Sequence, residues 1–176
     1  MKIFIISGKA GTGKNKVASI IKKIYESKNQ KAINLAYASY LKEYAKNILD
    51  WDGNEEKKPR NFLQYIGVDI VKKMDSKMLI RRIIEDIKVY RHFFDIITIS
   101  DARFPEEIED IQNNFESVIT IHIAEKENNL TEQERNHITE IALDSYDSYD
   151  YKIENNGTVE ELEEKLTFIV NEVEHE

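Results

Sequence analysis

The segment GKAGTGK, at residues 8–14, has the glycine and lysine spacing of a phosphate-binding loop. Glycine is needed in such a loop because backbone N–H groups must approach phosphate oxygens closely, often with unusual dihedral angles. We expect Lys14 to reach the outer phosphates of a nucleotide. The other residues expected to contact it are Gly8, Ala10, Gly11, Thr12 and Gly13. The alternative is an ordinary strand-to-helix turn that happens to contain glycines.

Asn15 departs from the usual pattern, in which a Ser or Thr hydroxyl at this position binds Mg²⁺. The amide oxygen of Asn can also approach a hard cation, directly or through water. We therefore expect the loop to hold phosphate, with Asn15 beside the metal and the strength of metal binding left open. Lys16 adds a second cation, which is either a further phosphate contact or a solvated helix residue.

A second candidate group lies in SDARFPEE, directly after a predicted strand. Ligands of open α/β sheets bind at the carboxyl ends of the strands, and Asp101 is predicted there. A carboxylate at that edge can hold Mg²⁺ or its water, and Arg103 can meet a transferring phosphoryl group. The alternative is a surface Asp–Arg pair that begins a helix.

Three further segments carry polar residues that could bind a second substrate. In PRNFLQYIGVD, Arg60 and Gln64 are four residues apart and share a helix face, and Gly67 permits close backbone approach. Arginine suits a phosphate and glutamine suits the edge of a base. The remaining candidates are Lys42 in NLAYASYLKEYA, and Arg135, His137 and Glu140 in ERNHITE. Taken alone, each segment also fits an amphipathic or polar helix, and His137 has no second His or Cys spaced for a metal site.

The elements that must position these residues alternate between strand and helix. Apolar runs predict strands at 2–7, 31–36, 95–100 and 117–123, with a fifth in DYKIE. Helical spacing of apolar residues predicts helices at 14–27, 39–49, 60–73, 76–92, 105–113 and 158–173. Thr158 and Glu161 form a predicted capping box at the start of the last helix. The alternation predicts an α/β fold, a parallel sheet with helices on both faces.

Composition excludes several classes of protein. The chain has 176 residues, a length that suits one domain, and no cysteine, so disulfides and thiolate chemistry are absent. The net charge of −8 disfavours nucleic acid as a partner, and no apolar run approaches a membrane span. We expect a cytoplasmic protein that acts on small molecules.

Taken together, these segments resemble the P-loop nucleoside monophosphate kinases, most closely the phage-type deoxynucleoside monophosphate kinases. The shared segments are GKAGTGK, LAYASYLK, RNFLQYIG, SDARFPEE, HITE and DYKIENNGTVEELEEKL, which follow one another in the family order over nearly the whole chain. The resemblance implies the P-loop NTPase fold with a five-stranded parallel sheet. It also implies transfer of the γ-phosphate of ATP, with Mg²⁺, to a (deoxy)nucleoside monophosphate. Relatives often carry Asp and Thr after the loop lysine, where this chain has Asn15 and Lys16.

The resemblance also implies a role for each part of the chain. The core would comprise residues 1–49, 93–123 and 150–176, with acceptor-binding helices at about 50–92 and a lid at about 124–149. By position, Lys14 contacts the donor phosphates, Asp101 and Arg103 organise metal and transferring phosphate, and Asn155 lies near the donor base. The residues implied at the acceptor and in the lid are Lys42, Arg60, Gln64, Gly67, Arg135, His137 and Glu140. A monomer or a homodimer is expected.

Two alternatives remain open at this stage. One is a kinase for another small phosphorylated acceptor, of the phosphomevalonate or dephospho-coenzyme A type. The other, suggested by Asn15, is a nucleotide-binding module with little catalytic activity.

Overall fold

A five-stranded, wholly parallel sheet forms the centre of the computed structural model, which describes residues 1–124 and 132–175. The strands are β1 (Lys2–Ser7), β2 (Ala32–Leu35), β3 (Ile96–Ala102), β4 (Val118–Ile123) and β5 (Tyr151–Ile153). Their order is β2-β3-β1-β4-β5, so β1 lies in the middle and the loop that follows it emerges at the centre of one edge. The predicted parallel sheet is confirmed.

Helical elements connect the strands and follow the sequence prediction closely. They are α1 (Lys14–Ser27), α2 (Tyr37–Leu49), a 3₁₀ turn (Glu55–Lys57), α3 (Arg60–Gln64), a π-helical segment (Tyr65–Val71), α4 (Lys72–Met74), α5 (Met78–Tyr90), α6 (Pro105–Asn114), α7 (Glu132–Arg135), α8 (Ile138–Ile141) and α9 (Val159–His175). In the predicted capping box, Thr158 N–H donates to Glu161 Oε2 (3.2 Å) and Glu161 N–H to Thr158 Oγ1 (3.3 Å). That prediction is confirmed.

Helices cover both faces of the sheet, because β1 is apolar on both sides. Phe4 and Ile6 belong to the core beneath α1 and α9, whereas Ile3 and Ile5 belong to the core beneath α2, α5 and α6. Adjacent strand residues point to opposite faces, so an uninterrupted apolar run supplies both cores. This explains why residues 3–6 are almost wholly buried.

Two of the differences between the predicted and observed elements affect residues of the candidate site. The third strand was predicted to end at residue 100 but continues to Ala102, because Ser7 pairs with Ala102 after a register shift that follows Ile5. Asp101 therefore lies within the last residues of β3 rather than beyond it. The single helix predicted at 60–73 is interrupted by the π-helical segment. Gly67 lies within that segment, and a Cβ on it would come within 2.9 Å of Leu41 Cδ1.

Part of the predicted lid, residues 125–131, lies outside the described residues. The part of 124–149 that is described contains α7 and α8. Among the described residues, none of the helices combines the length and apolar character needed to cross a bilayer.

Candidate active site

The loop between β1 and α1 contains three glycines with positive φ, and at two of them a side chain would also clash. Gly8 has φ +143°, and a Cβ there would lie 2.6 Å from the carbonyl oxygen of Ile123. Gly13 has φ +98°, and a Cβ there would lie 2.6 Å from Asn155 Nδ2. Any side chain would therefore be strained and would also clash. The loop leads directly into α1, whose first N–H groups have no intrahelical acceptor and carry partial positive charge.

Lys14 folds back over the loop and is almost buried. Its Nζ donates to the carbonyl oxygens of Gly8 (2.6 Å) and Lys9 (2.7 Å). Burial, reinforced by the positive charge of Arg103, lowers the pKa of Lys14 from 10.5 to about 7. A cation held with so little solvation interacts strongly with any anion that reaches the loop.

Arg103 and Glu140 meet over the same loop. Arg103 Nη1 donates to Glu140 Oε1 (2.8 Å), and the Ala10 N–H donates to Glu140 Oε2 (2.7 Å). Arg103 also lies 3.4 Å from the carbonyl oxygens of Gly8 and Thr139. A carboxylate from α8 thus bridges the loop and the arginine that follows β3.

Asp101 joins β3 to the start of α2. Its Oδ1 accepts from Tyr37 N–H (2.9 Å) and its Oδ2 from Ala38 N–H (2.8 Å), so the carboxylate lies at a helix N-terminus, where negative charge is favoured. Burial raises the pKa of Asp101, although these two hydrogen bonds oppose the shift. Each oxygen keeps a lone pair for a further partner.

A cleft of about 550 Å³ runs from the loop to the helices that were predicted to bind the acceptor. Its volume is in the usual range for small-molecule sites. The candidate residues that line it are Ala10, Gly11, Gly13, Lys14, Asn15, Lys42, Arg60, Gln64, Gly67, Asp101, Arg103 and Glu140. The structure therefore brings most of the candidate residues together around one space.

A second group of cations, Lys42, Lys58 and Arg60, also lines the cleft. Lys42 pairs with Glu55 (2.6 Å), which also contacts Lys58 (3.1 Å), and the hydrogen bond from Lys42 lowers the pKa of Glu55. Arg60 and Gln64, both on α3, line the same cleft. The three cations outnumber Glu55, so this group suits an anionic ligand.

The remaining candidate residues are not among those that line the cleft. Thr12 is fully buried, and its hydroxyl donates to the carbonyl of Lys9 (2.9 Å). Asn155 Nδ2 donates to the carbonyl of Thr12 (2.9 Å), so its amide group supports the loop from behind. Lys16 is exposed on α1, and Arg135 is exposed at the end of α7. Their predicted ligand contacts stay predictions.

His137 caps α8, since the N–H of Thr139 donates to its Nδ1 (3.3 Å). Its side chain thus holds the start of the short helix that carries Glu140. Its predicted contact with substrate also stays a prediction.

Sequence reasoning missed Glu107, which is buried beside the cleft. Its Oε2 accepts from the N–H groups of Arg103 (2.6 Å) and Phe104 (3.1 Å), and burial raises its pKa to about 8. Glu107 therefore fixes the backbone from which the Arg103 side chain extends. The available signal was Pro105 at the first position of α6 with Glu107 two residues later, which is typical of a helix start.

Comparison with known proteins gives one family match. A model of the deoxynucleotide monophosphate kinase family matches residues 24–166. That range begins after the glycine loop, so the match and the loop are separate observations. No curated protein sequence matches the chain.

Solved structures share the fold at low sequence identity. An APS kinase from Mycobacterium tuberculosis has a TM-score of 0.57 at 10% identity, covering 97% of this chain and 96% of that one. A gluconokinase from Sinorhizobium meliloti has a TM-score of 0.57 at 12% identity, and the match covers 99% of this chain and 94% of that one. A shikimate kinase from Aquifex aeolicus has a TM-score of 0.52 at 13% identity, and the match covers 97% of this chain and 96% of that one. These likenesses identify the fold as that of P-loop kinases.

Proposed function

The chain belongs to the deoxynucleotide monophosphate kinase family, and from this membership we propose that it transfers the γ-phosphate of ATP to a deoxynucleoside monophosphate. The products would be ADP and a deoxynucleoside diphosphate. The net charge of −8 supports a small nucleotide rather than a nucleic acid as the partner. A monomer or a homodimer is proposed for the assembly.

One observation carries the proposal, namely that a single cleft contains both the glycine loop and a second group of cations. Lys14 and Arg103 line this cleft, and so do Lys42, Arg60 and Gln64. Transfer between two nucleotides needs two sites for phosphate in one space, and a donor–acceptor side chain can recognise a base edge. An APS kinase from Mycobacterium tuberculosis that shares this fold has been solved in complex with both AMPPNP and APS, which supports a proposal with two ligands.

In this proposal Lys14 and Arg103 stabilise the transferring phosphoryl group. The transition state of such a transfer is loose, and its charge is spread over the equatorial oxygens. Catalysis then consists mainly of positioning and charge stabilisation, and preorganised cations in a site of low solvation supply the latter. The hydrogen bonds of Glu107 to the backbone of residues 103 and 104 keep Arg103 in place.

No side chain needs to act as a general base. A phosphate monoester loses its second proton near pH 6, so the attacking oxygen of the acceptor is already ionised at neutral pH. Arg60 and Lys42 would hold that phosphate, and Gln64 would contact the base.

Asp101 and Asn15 fit a Mg²⁺ site. Mg²⁺ is commonly bound by one or two carboxylates, substrate phosphates and several waters, and Asp101 and Asn15 both line the cleft. Among the described residues there is no group of three or more His, Cys, Asp or Glu that could hold a metal alone, in keeping with an ion that arrives with ATP. When bound, Mg²⁺ would neutralise charge on the donor phosphates.

A second candidate function is a nucleotide-binding module with little turnover. Asn15, in the position of the usual hydroxyl ligand, is the observation that favours it.

The experiment that tests the proposal is an ADP-release assay with ATP and Mg²⁺ across the common ribo- and deoxynucleoside monophosphates. We expect turnover with one or a few deoxynucleotides. Lys14→Ala should lower kcat by about 10²–10³, as expected for one lost preorganised contact. Lys23→Ala removes the same charge from an exposed position of the same helix and should leave activity unchanged. Tight ATP binding without turnover on any acceptor would select the binding module.

A further inference from the structure

Glu140 lies where a phosphate-binding loop would be expected to hold an anion. Its two oxygens accept from the Ala10 N–H, within the loop, and from Arg103. The Glu140 side chain is only 5% exposed. A carboxylate in this position uses the kinds of donors that phosphate oxygens use, a loop N–H and a guanidinium.

The charges around this contact are already balanced. Lys14 and Arg103 are the cations, and Glu140 and Asp101 are the anions that act on Lys14. A nucleoside triphosphate would bring several negative charges against the buried carboxylate of Glu140, where like charges repel strongly. The phosphates and Glu140 therefore compete for the same donors.

We propose that Glu140 occupies the phosphate position of the loop in the nucleotide-free protein, and that the phosphates of the nucleotide expel it. The exchange frees Arg103 from its ion pair, so that the guanidinium can turn to the transferring phosphate. It also releases α8, which Arg103 holds through Glu140 and through the carbonyl of Thr139. Glu140 thus couples arrival of the donor to movement of the segment that carries it.

This inference rests on the part of the proposed function that puts a nucleoside triphosphate at the loop, and not on the identity of the acceptor. It assigns Glu140 a role opposite to a substrate contact. If Glu140 bound substrate, its removal would weaken binding. If it competes with phosphate, its removal strengthens binding.

Equilibrium titration with a non-hydrolysable ATP analogue, in the absence of any acceptor, tests this difference. Glu140→Gln keeps the size of the side chain but removes the charge that competes for Arg103 and the loop. We expect the Kd of the analogue to fall about tenfold. A change of this order is expected when a charged group that competes with the phosphates for the same buried hydrogen-bond donors is removed. Glu164→Gln, an exposed substitution on α9 with the same change in net charge, should leave the Kd unchanged.

Hydrogen–deuterium exchange supplies a readout of the movement. In the wild-type protein, exchange of the backbone in residues 138–143 should rise when the analogue binds, because α8 loses its tether. In Glu140→Gln the same residues should exchange faster even without the analogue. Glu140→Asp, whose carboxylate is one methylene shorter, should also bind more tightly and provides a second variant if the glutamine protein folds poorly.

The outcomes separate this inference from the proposed function. Tighter binding by the variants with faster exchange at residues 138–143 supports the inference, whether or not any acceptor is phosphorylated. Unchanged or weaker binding by both variants overturns it and leaves the kinase proposal intact. Failure of the wild type and both variants to bind the analogue overturns the proposed function, and this inference with it.

Discussion

Binding of nucleotide should require a proton on Lys14, and this makes affinity depend on pH. Burial and Arg103 lower the pKa of Lys14 to about 7 in the nucleotide-free protein. Phosphates beside the ammonium raise the pKa again, because an opposite charge favours the charged form. Nucleotide therefore binds preferentially to the protein in which Lys14 is protonated. The affinity for nucleotide is greatest below about pH 7 and falls as the pH rises above it.

The magnitude follows from the fraction of protonated Lys14. With a pKa of about 7, that fraction is roughly 0.9 at about pH 6 and roughly 0.03 at about pH 8.5. The Kd of a non-hydrolysable ATP analogue should consequently rise about thirtyfold over this range. At about pH 8, binding should take up roughly 0.9 proton per nucleotide.

Calorimetry in buffers of different ionisation enthalpy measures this proton uptake directly. The terminal phosphate titrates near pH 6 and is ionised at pH 8, so the ligand itself contributes little. Lys14→Arg is the matched variant, since a guanidinium stays charged throughout and should abolish the uptake. Its fold is checked by thermal unfolding. A wild-type protein that binds the analogue at about pH 8 without taking up protons would refute the reasoning.

Four other substitutions test three separate parts of the structure. Arg60→Ala should raise the KM for the acceptor about tenfold or more with little change in the Kd for ATP, because Arg60 lies on α3 and not in the glycine loop. Separate titrations measure this, and equal losses for both substrates would contradict it. Asp101→Asn should raise the Mg²⁺ concentration that gives half the maximal rate, whereas Asn15→Thr should keep activity and lower that concentration. An unchanged Mg²⁺ curve for Asp101→Asn, with its fold verified by melting, would leave Asp101 as a support for the start of α2 alone. Thr158→Ala removes the hydroxyl that accepts from Glu161 N–H and should lower the free energy of unfolding by about 1 kcal/mol. Urea unfolding checks this, and no loss would mean that the capping contact is replaced by water.

Predictions that depend on local signals agree with the structure. The glycine loop, the apolar run of β1 and the capping box at Thr158 each involve residues close together in sequence, and each is present. A strand buried on both faces must be apolar throughout, and a helix must satisfy its own terminal N–H groups. Residues close together in sequence meet these requirements, so the strand and the helix cap can be predicted from the sequence.

The arrangement within the cleft depends instead on contacts between distant residues. The Ala10 N–H meets Glu140 across 130 positions, and Asp101 meets the start of α2 across 64 and 63 positions. Sequence reasoning selected Asp101, Arg103 and Glu140 as candidates, but the pair it considered for Arg103, as an alternative, was Asp101, and it left Glu107 out. These partners are set by the strand order, which places the ends of β1 and β3 side by side.

The sequence by itself thus identified the candidate groups: the glycine loop, the carboxylate and arginine at the end of β3, and the polar residues expected to bind a second ligand. Only the tertiary structure decided which charges meet. The physical reason is that charge pairing and the lowered pKa of Lys14 depend on distance and burial in the folded chain. Neither quantity is defined until the sheet has brought the loop, β3 and α8 together.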